Sequence, residues 1–84
     1  MNITFTEKAW AGYTYWQSQD KTFLKKLNAL IEKTTRTPFE GTGKPEPLRH
    51  ELAGFWSRRI SDEHRLIYRI KDDALEIVQC RYHY

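Results

Sequence analysis

Two hydrophobic periods meet in this chain, and the switch between them falls across residues 34–47. Before it, apolar residues recur every three or four positions, as on one face of a helix; after it they alternate, as on a strand. From Asp20, a good N-cap, Phe23, Leu24, Leu27, Leu30 and Ile31 form one stripe, with Lys21, Lys25, Lys26, Glu32 and Lys33 on the other side. Upstream, Thr6 is placed to cap a first helix and Glu7 suits the positive end of its dipole. Trp10, Tyr13 and Gln17 fall on one face of that helix, with Ala9 and Trp16 beside them. It is expected to end near Ser18, so the connection is very short and the pair forms an αα-hairpin. Ahead of it, Ile3-Thr4-Phe5-Thr6 alternates and reads as a short strand.

Thr34 to Pro47 holds three Pro, four Thr, Gly41 and Gly43, the composition of a structured loop. Strand patterns follow: a short candidate at Leu48–Leu52, a better one at Phe55–Ile60, clean alternation over His64–Ile70, and a last strand at Leu75–Arg81. Ser61-Asp62-Glu63 and Lys71-Asp72-Asp73-Ala74 supply the turns. Within His64–Ile70, Leu66, Tyr68 and Ile70 point one way and Arg65, Ile67 and Arg69 the other. The predicted order is β-α-α-β-β-β, an α+β fold in which an antiparallel, twisted sheet carries the helical hairpin on one face. The uncovered face is expected to carry the Arg side chains and to be open to a ligand.

Eighty-four residues are expected to make one domain, 1–84, with no second core. The twelve aromatics, each with a large area to bury, and a net charge of only +3 argue against disorder. The kind of cation is more informative than the total. Five of the seven Lys lie before position 34, on solvated helix faces, and six of the seven Arg lie from position 49 onward. A single Cys excludes an intrachain disulfide and fits a reducing cytosol, so a cytoplasmic location is expected. No apolar run approaches the roughly eighteen residues of a membrane span, and no basic stretch precedes an apolar one as in a secretory signal.

Two motifs fail on inspection. Gly41-Thr42-Gly43-Lys44 has one residue between its glycines where a phosphate loop needs four, and Pro45 follows Lys44 where that loop needs Ser or Thr. Cys80 and His83 are three apart, so on a strand they point to opposite faces, and no second ligand pair accompanies them. No metal and no cofactor is expected. What remains is a constellation: Glu46, Arg49, His50, Arg58, Arg59, His64, Arg65, Arg81, Tyr82, His83 and Tyr84. A carboxylate, an imidazole and guanidinium groups around one point are what RNA cleavage needs. A base takes the ribose 2′-OH proton, the oxygen attacks the adjacent phosphate, and an acid protonates the leaving 5′-oxygen. Arg stabilises the charge that builds on the phosphorus oxygens, and aromatic rings stack on bases. On composition alone each member has a plainer role: Glu46 solvated in a loop, Arg58 and Arg59 as surface charge, a terminal Tyr packed.

These residues also carry a resemblance. Arg36-Thr37-Pro38-Phe39-Glu40-Gly41, Gly43-Lys44-Pro45-Glu46-Pro47-Leu48, Gly54-Phe55-Trp56-Ser57-Arg58-Arg59-Ile60, Glu63-His64-Arg65-Leu66-Ile67-Tyr68 and Cys80-Arg81-Tyr82-His83-Tyr84 together resemble the YoeB-type toxins of the RelE/ParE superfamily. The resemblance spans essentially the whole chain. It implies a RelE-like fold and the toxic half of a bacterial type II toxin–antitoxin pair. It further implies a ribosome-dependent mRNA endonuclease that cleaves codons in the decoding site, without metal, and is neutralised by a YefM-like antitoxin. By the same resemblance Glu46 is the general base, His83 the general acid and Arg65 the transition-state stabiliser, with Arg59 in support and Tyr84 positioning the RNA or the acid. Relatives often have Lys where this chain has Arg49, which keeps the charge of a phosphate contact. Homodimerisation is implied too, as is contact with DNA only indirectly, through the antitoxin.

His64, adjacent to Arg65, is expected to point the other way and to be structural, while His50 could contact RNA or merely end a strand. Two other functions compete. A ParE-like toxin would bind and inhibit a protein such as gyrase without cutting RNA, and would not need the Glu46, Arg65, His83 set. A free ribonuclease would have to capture RNA by itself, for which a charge of +3 is small. The total fits better with a protein to which the ribosome, with bound mRNA, presents the substrate.

Overall fold

A computed structural model describes residues 1–82. The chain runs β1 (Asn2–Phe5), α1 (Glu7–Gln19), α2 (Lys21–Arg36), β2 (Glu46–Pro47), a 3-10 turn (His50–Leu52), β3 (Trp56–Arg59), β4 (Arg65–Lys71) and β5 (Ala74–Gln79). The caps are those the sequence calls for. The Thr6 hydroxyl accepts the Ala9 N–H at 3.2 Å, and the Asp20 carboxylate accepts the Phe23 N–H at 2.9 Å. Asp20 also donates its own N–H to Trp16 O at 3.0 Å, so one residue ends α1 and starts α2.

The buried stripe of α2 is the expected one, with Leu27, Leu30 and Ile31 inside. In α1 the inward line is Ala9, Gly12 and Trp16, one step round from the expected face, and Trp10 is half exposed. Gly12 sets this rotation. A Cβ there would lie 3.3 Å from the Cys80 Sγ, so its absence lets α1 approach the last strand closely. Trp16 fixes the contact by donating its indole N–H to Cys80 O at 3.0 Å. The helix α2 runs on through Thr34, whose buried hydroxyl donates to Leu30 O at 2.7 Å, so the loop begins at Thr37 rather than Thr34.

The five strands lie in the order β1-β5-β4-β3-β2. The strands after the hairpin pair antiparallel, as expected, but number four where the predicted order has three, and β1 joins β5 in parallel, so the sheet is mixed rather than antiparallel throughout. The geometry follows from the connection, because two antiparallel helices return the chain to the end from which β1 left. The β4–β5 hairpin turns through Asp72 and Asp73, both at positive φ (53° and 59°), the twist that matches a two-residue connection. The candidate strand at Leu48–Leu52 is instead a self-bonded loop: Leu52 and Ala53 N–H donate to Arg49 and His50 O, and Phe55 N–H to Leu52 O. Its backbone groups are used locally, so the strand starts two residues earlier, at Glu46.

The core lies between the helices and the inner face of the sheet, where Leu66, Tyr68, Leu75 and Ile77 meet Leu27, Leu30, Ile31 and Trp16. Each fully buried Leu or Ile there contributes roughly 1.5–3 kcal/mol of apolar transfer free energy. Arg58 shares this inner face with Leu66 and Tyr68 and is fully buried. Its guanidinium donates to Thr42 O at 3.0 Å, Glu40 O at 2.6 Å, Thr37 O, and the Tyr68 hydroxyl at 3.1 Å; Tyr68 passes its own proton to Pro38 O at 2.6 Å. The loop of residues 37–42 thus turns its carbonyls inward onto a cation, the reverse of a phosphate-cradling loop. Gly43, at φ +88°, closes it: its carbonyl accepts the Arg59 N–H at 2.7 Å, and a Cβ there would stand 3.0 Å from Arg59 O.

Candidate active site

The outer face of the sheet is built by register. Glu46 pairs with Ser57, Ser57 with Ile67, and Ile67 with Gln79, so these four side chains form one row across the sheet. Arg59 pairs with Arg65 in the next row, and Arg69 with Glu76 on the far side. A register shift in β5 at Val78 makes this alignment possible. Tyr68 faces Ile77 and Ile67 faces Gln79, so Val78 is the extra residue and Gln79 joins the outer row. Glu46, Arg59 and Arg65, apart in sequence, therefore share one face of the sheet.

Beside Glu46 the 48–52 loop opens a groove of about 480 Å³ lined by Glu46, Pro47, Leu48, Arg49, His50 and Leu52. Both candidate residues of this loop, Arg49 and His50, are exposed next to the carboxylate, and His50 is held at φ +57°. Ser57, not singled out from the sequence, is buried between Glu46 and Ile67, and among the described residues its hydroxyl has no hydrogen-bond partner. Arg59 lies 3.8 Å from the exposed Asp62 carboxylate, a contact that screening makes weak and that leaves the guanidinium available to an anion.

The chain beyond β5 folds back over Arg65. The Arg65 N–H donates to Tyr82 O at 3.0 Å, and the Gln79 amide donates to the same oxygen at 3.2 Å. Tyr82 N–H in turn donates to His64 Nδ1 at 2.7 Å. His64 points toward the helices, as expected, with its ring edge-on to Trp16 and Phe23 at 4.8 and 5.4 Å. Burial pulls its pKa below 6.5; Glu63 opposes the shift and Arg81 adds to it. The candidate acid His83, and Tyr84, lie outside the described residues.

Not every Arg serves the outer face. Arg58 is structural, buried at the root of the loop. Arg69 is tied to Glu76 at 2.5 Å and lies over Phe55, and Arg81 stacks on Tyr15 and Tyr82 at 3.4 and 4.5 Å. The expectation that the face away from the helices carries the Arg side chains thus applies to a subset, with Arg58 turned inward and Arg81 stacked on aromatic rings. Strand alternation carried the signal for Arg58, since one of two adjacent residues on a half-covered sheet must point inward. Cys80 is buried with its thiol against Ala9 O, and burial pushes its pKa up to about 12, so it is no nucleophile at neutral pH.

The fold, two helices on one side of a small mixed sheet, matches that of a class of solved bacterial toxins. A YoeB/ParE toxin from Agrobacterium tumefaciens superposes with a TM-score of 0.97 at 48% identity, over 100% of both chains. The YoeB in a heterotetrameric YoeB–YefM toxin–antitoxin complex from Staphylococcus aureus, also solved as a YoeB dimer, gives 0.91 at 46% identity, over 100% of this chain and 98% of that one. Toxin YoeB of Escherichia coli (strain K12) is 60% identical over all 84 residues of both chains. The model of the YoeB-like toxin of bacterial type II toxin–antitoxin systems matches residues 5–84, and the chain belongs to that family.

Proposed function

We propose that this toxin is a metal-independent endoribonuclease that cuts mRNA codons in the ribosomal decoding site and so inhibits translation. The observation that carries the reading is the register that sets Glu46, Arg59 and Arg65 on the face of the sheet away from the helices, with the backbone of Tyr82, the residue before His83, laid against Arg65. Glu46 takes the 2′-OH proton, Arg65 stabilises the pentavalent phosphate with Arg59 in support, and His83 protonates the leaving 5′-oxygen. Arg49 contacts a flanking phosphate from the groove beside Glu46, and Tyr84 positions the RNA or the acid. The modest net charge of +3 supports delivery of the substrate by the ribosome rather than capture of free RNA. A YefM-like antitoxin silences the toxin by covering the open face, the toxin pairs as a homodimer, and contact with DNA runs through the antitoxin; YoeB–YefM and YoeB dimer structures of relatives support the partners. The protein acts in the cytoplasm.

The test is mapping of mRNA 5′ ends after induction of the toxin. New ends within codons are expected for wild type, with cleavage falling by about 10²–10⁴-fold for Glu46→Ala and His83→Ala. Both variants cutting at the wild-type rate overturns the assignment. Growth arrest with no new in-codon ends points instead to a toxin that inhibits a protein target.

A further inference from the structure

We propose that His64 is a positioning residue that anchors the chain at Tyr82 and thereby sets where the following residue, His83, meets the substrate; this rests on the endonuclease reading. Three hydrogen bonds converge on the Tyr82 peptide units. Its N–H goes to His64 Nδ1 at 2.7 Å, and its carbonyl takes the Arg65 N–H at 3.0 Å and the Gln79 amide at 3.2 Å. Tyr82 adopts φ +69°, a left-handed conformation that costs a bulky residue free energy and persists only where its surroundings hold it. The three bonds are that hold. The left-handed residue turns the chain at the point where β5 has ended, beside the Arg65 of the open face.

His64 is built to hold one orientation. Its ring packs edge-on against Trp16 and Phe23, which stack on each other with centroids 3.9 Å apart, and the His64 backbone N–H donates to the Ser61 hydroxyl at 3.2 Å. The imidazole is thus braced by both helices, while the β3–β4 turn holds the backbone that carries it. Only the unprotonated Nδ1 accepts, so the anchor needs neutral His64. The charged groups acting on it are Glu63 and Arg81, and burial adds to Arg81 in favouring the neutral ring.

The experiment compares wild type, His64→Leu and His64→Asn, the last carrying a carbonyl oxygen near the position of Nδ1. Single-turnover cleavage on mRNA-programmed ribosomes is measured alongside hydrogen exchange at the Tyr82 amide. For His64→Leu the expected result is a kcat lower by about 10–100-fold with KM within about twofold, and loss of Tyr82 amide protection. His64→Asn is expected to restore both. A His64→Leu protein that cuts at the wild-type rate, that is slow with Tyr82 still protected, or that His64→Asn fails to improve upon, overturns the proposal. A wild type that leaves mRNA intact while Tyr82 is protected overturns the endonuclease reading and leaves the anchor as a feature of the fold alone.

Discussion

Replacing Arg58 by Met would strip three loop carbonyls and the Tyr68 hydroxyl of their donor at a fully buried position. Each orphaned acceptor costs about 1–3 kcal/mol, so a loss of about 3 kcal/mol or more is expected in urea unfolding. Arg58→Lys would lose nearly as much, because an ammonium cannot span the same fork of acceptors. Its neighbour Arg59, half exposed on the other face, should tolerate Ala within about 0.5 kcal/mol while weakening cleavage. His64 gives a pH dependence whose sign is fixed. Its pKa in the folded protein lies below 6.5, so the contribution of the neutral ring is complete above that value. It is lost as pH falls through the lowered pKa. Between pH 7.5 and pH 5, wild type is expected to lose more thermal stability than His64→Asn. Cys80, with its thiol pushed up to about 12 and buried, should react with a thiol reagent only as fast as the protein unfolds.

Among the elements, the two helices share one hinge residue. Asp20→Ala removes the cap of α2 while the backbone bond that ends α1 survives, so a cost of about 1 kcal/mol in thermal denaturation is expected. Such local devices are why much of the fold could be read in advance: Thr6, Asp20, the Leu27–Leu30–Ile31 stripe and the Asp72-Asp73 turn each act within a few residues. The differences arise where composition and periodicity do not reveal the partner, whether near or far. Leu48–Leu52 has strand-like composition, but its N–H groups find carbonyls inside the loop. The inward line of α1 depends on how near Gly12 comes to Cys80, 68 positions away, which helical periodicity cannot show. The candidate site was legible as a set of residue types, and the Glu46–Ser57 and Arg59–Arg65 pairings give Glu46, Arg59 and Arg65 their common face. The bulge at Val78 and the left-handed Tyr82 have no local signature, and the anchor at His64 depends on both.

At the scale of the molecule, β5 is the member on which the others close. It lies between β1 and β4 and carries Gln79 into the outer row. Deleting residues 1–5 would bare its edge and remove the parallel pairing from Asn2 to Phe5, so a lower unfolding midpoint and concentration-dependent association are expected. The two edges of the intact sheet differ: β2 is two residues long and ends in Pro47, which offers little to another strand, whereas β1 is four residues long with Ile3 exposed. The strand order also has a consequence in time. β1 emerges from the ribosome before every other strand, and its one neighbour is made after all of them. Until residues 74–82 are free, Arg65 has no Tyr82 carbonyl beside it and the outer row lacks Gln79. The outer face is therefore completed only when synthesis has passed beyond it, so a nascent chain does not present it in finished form to the ribosome that is making it.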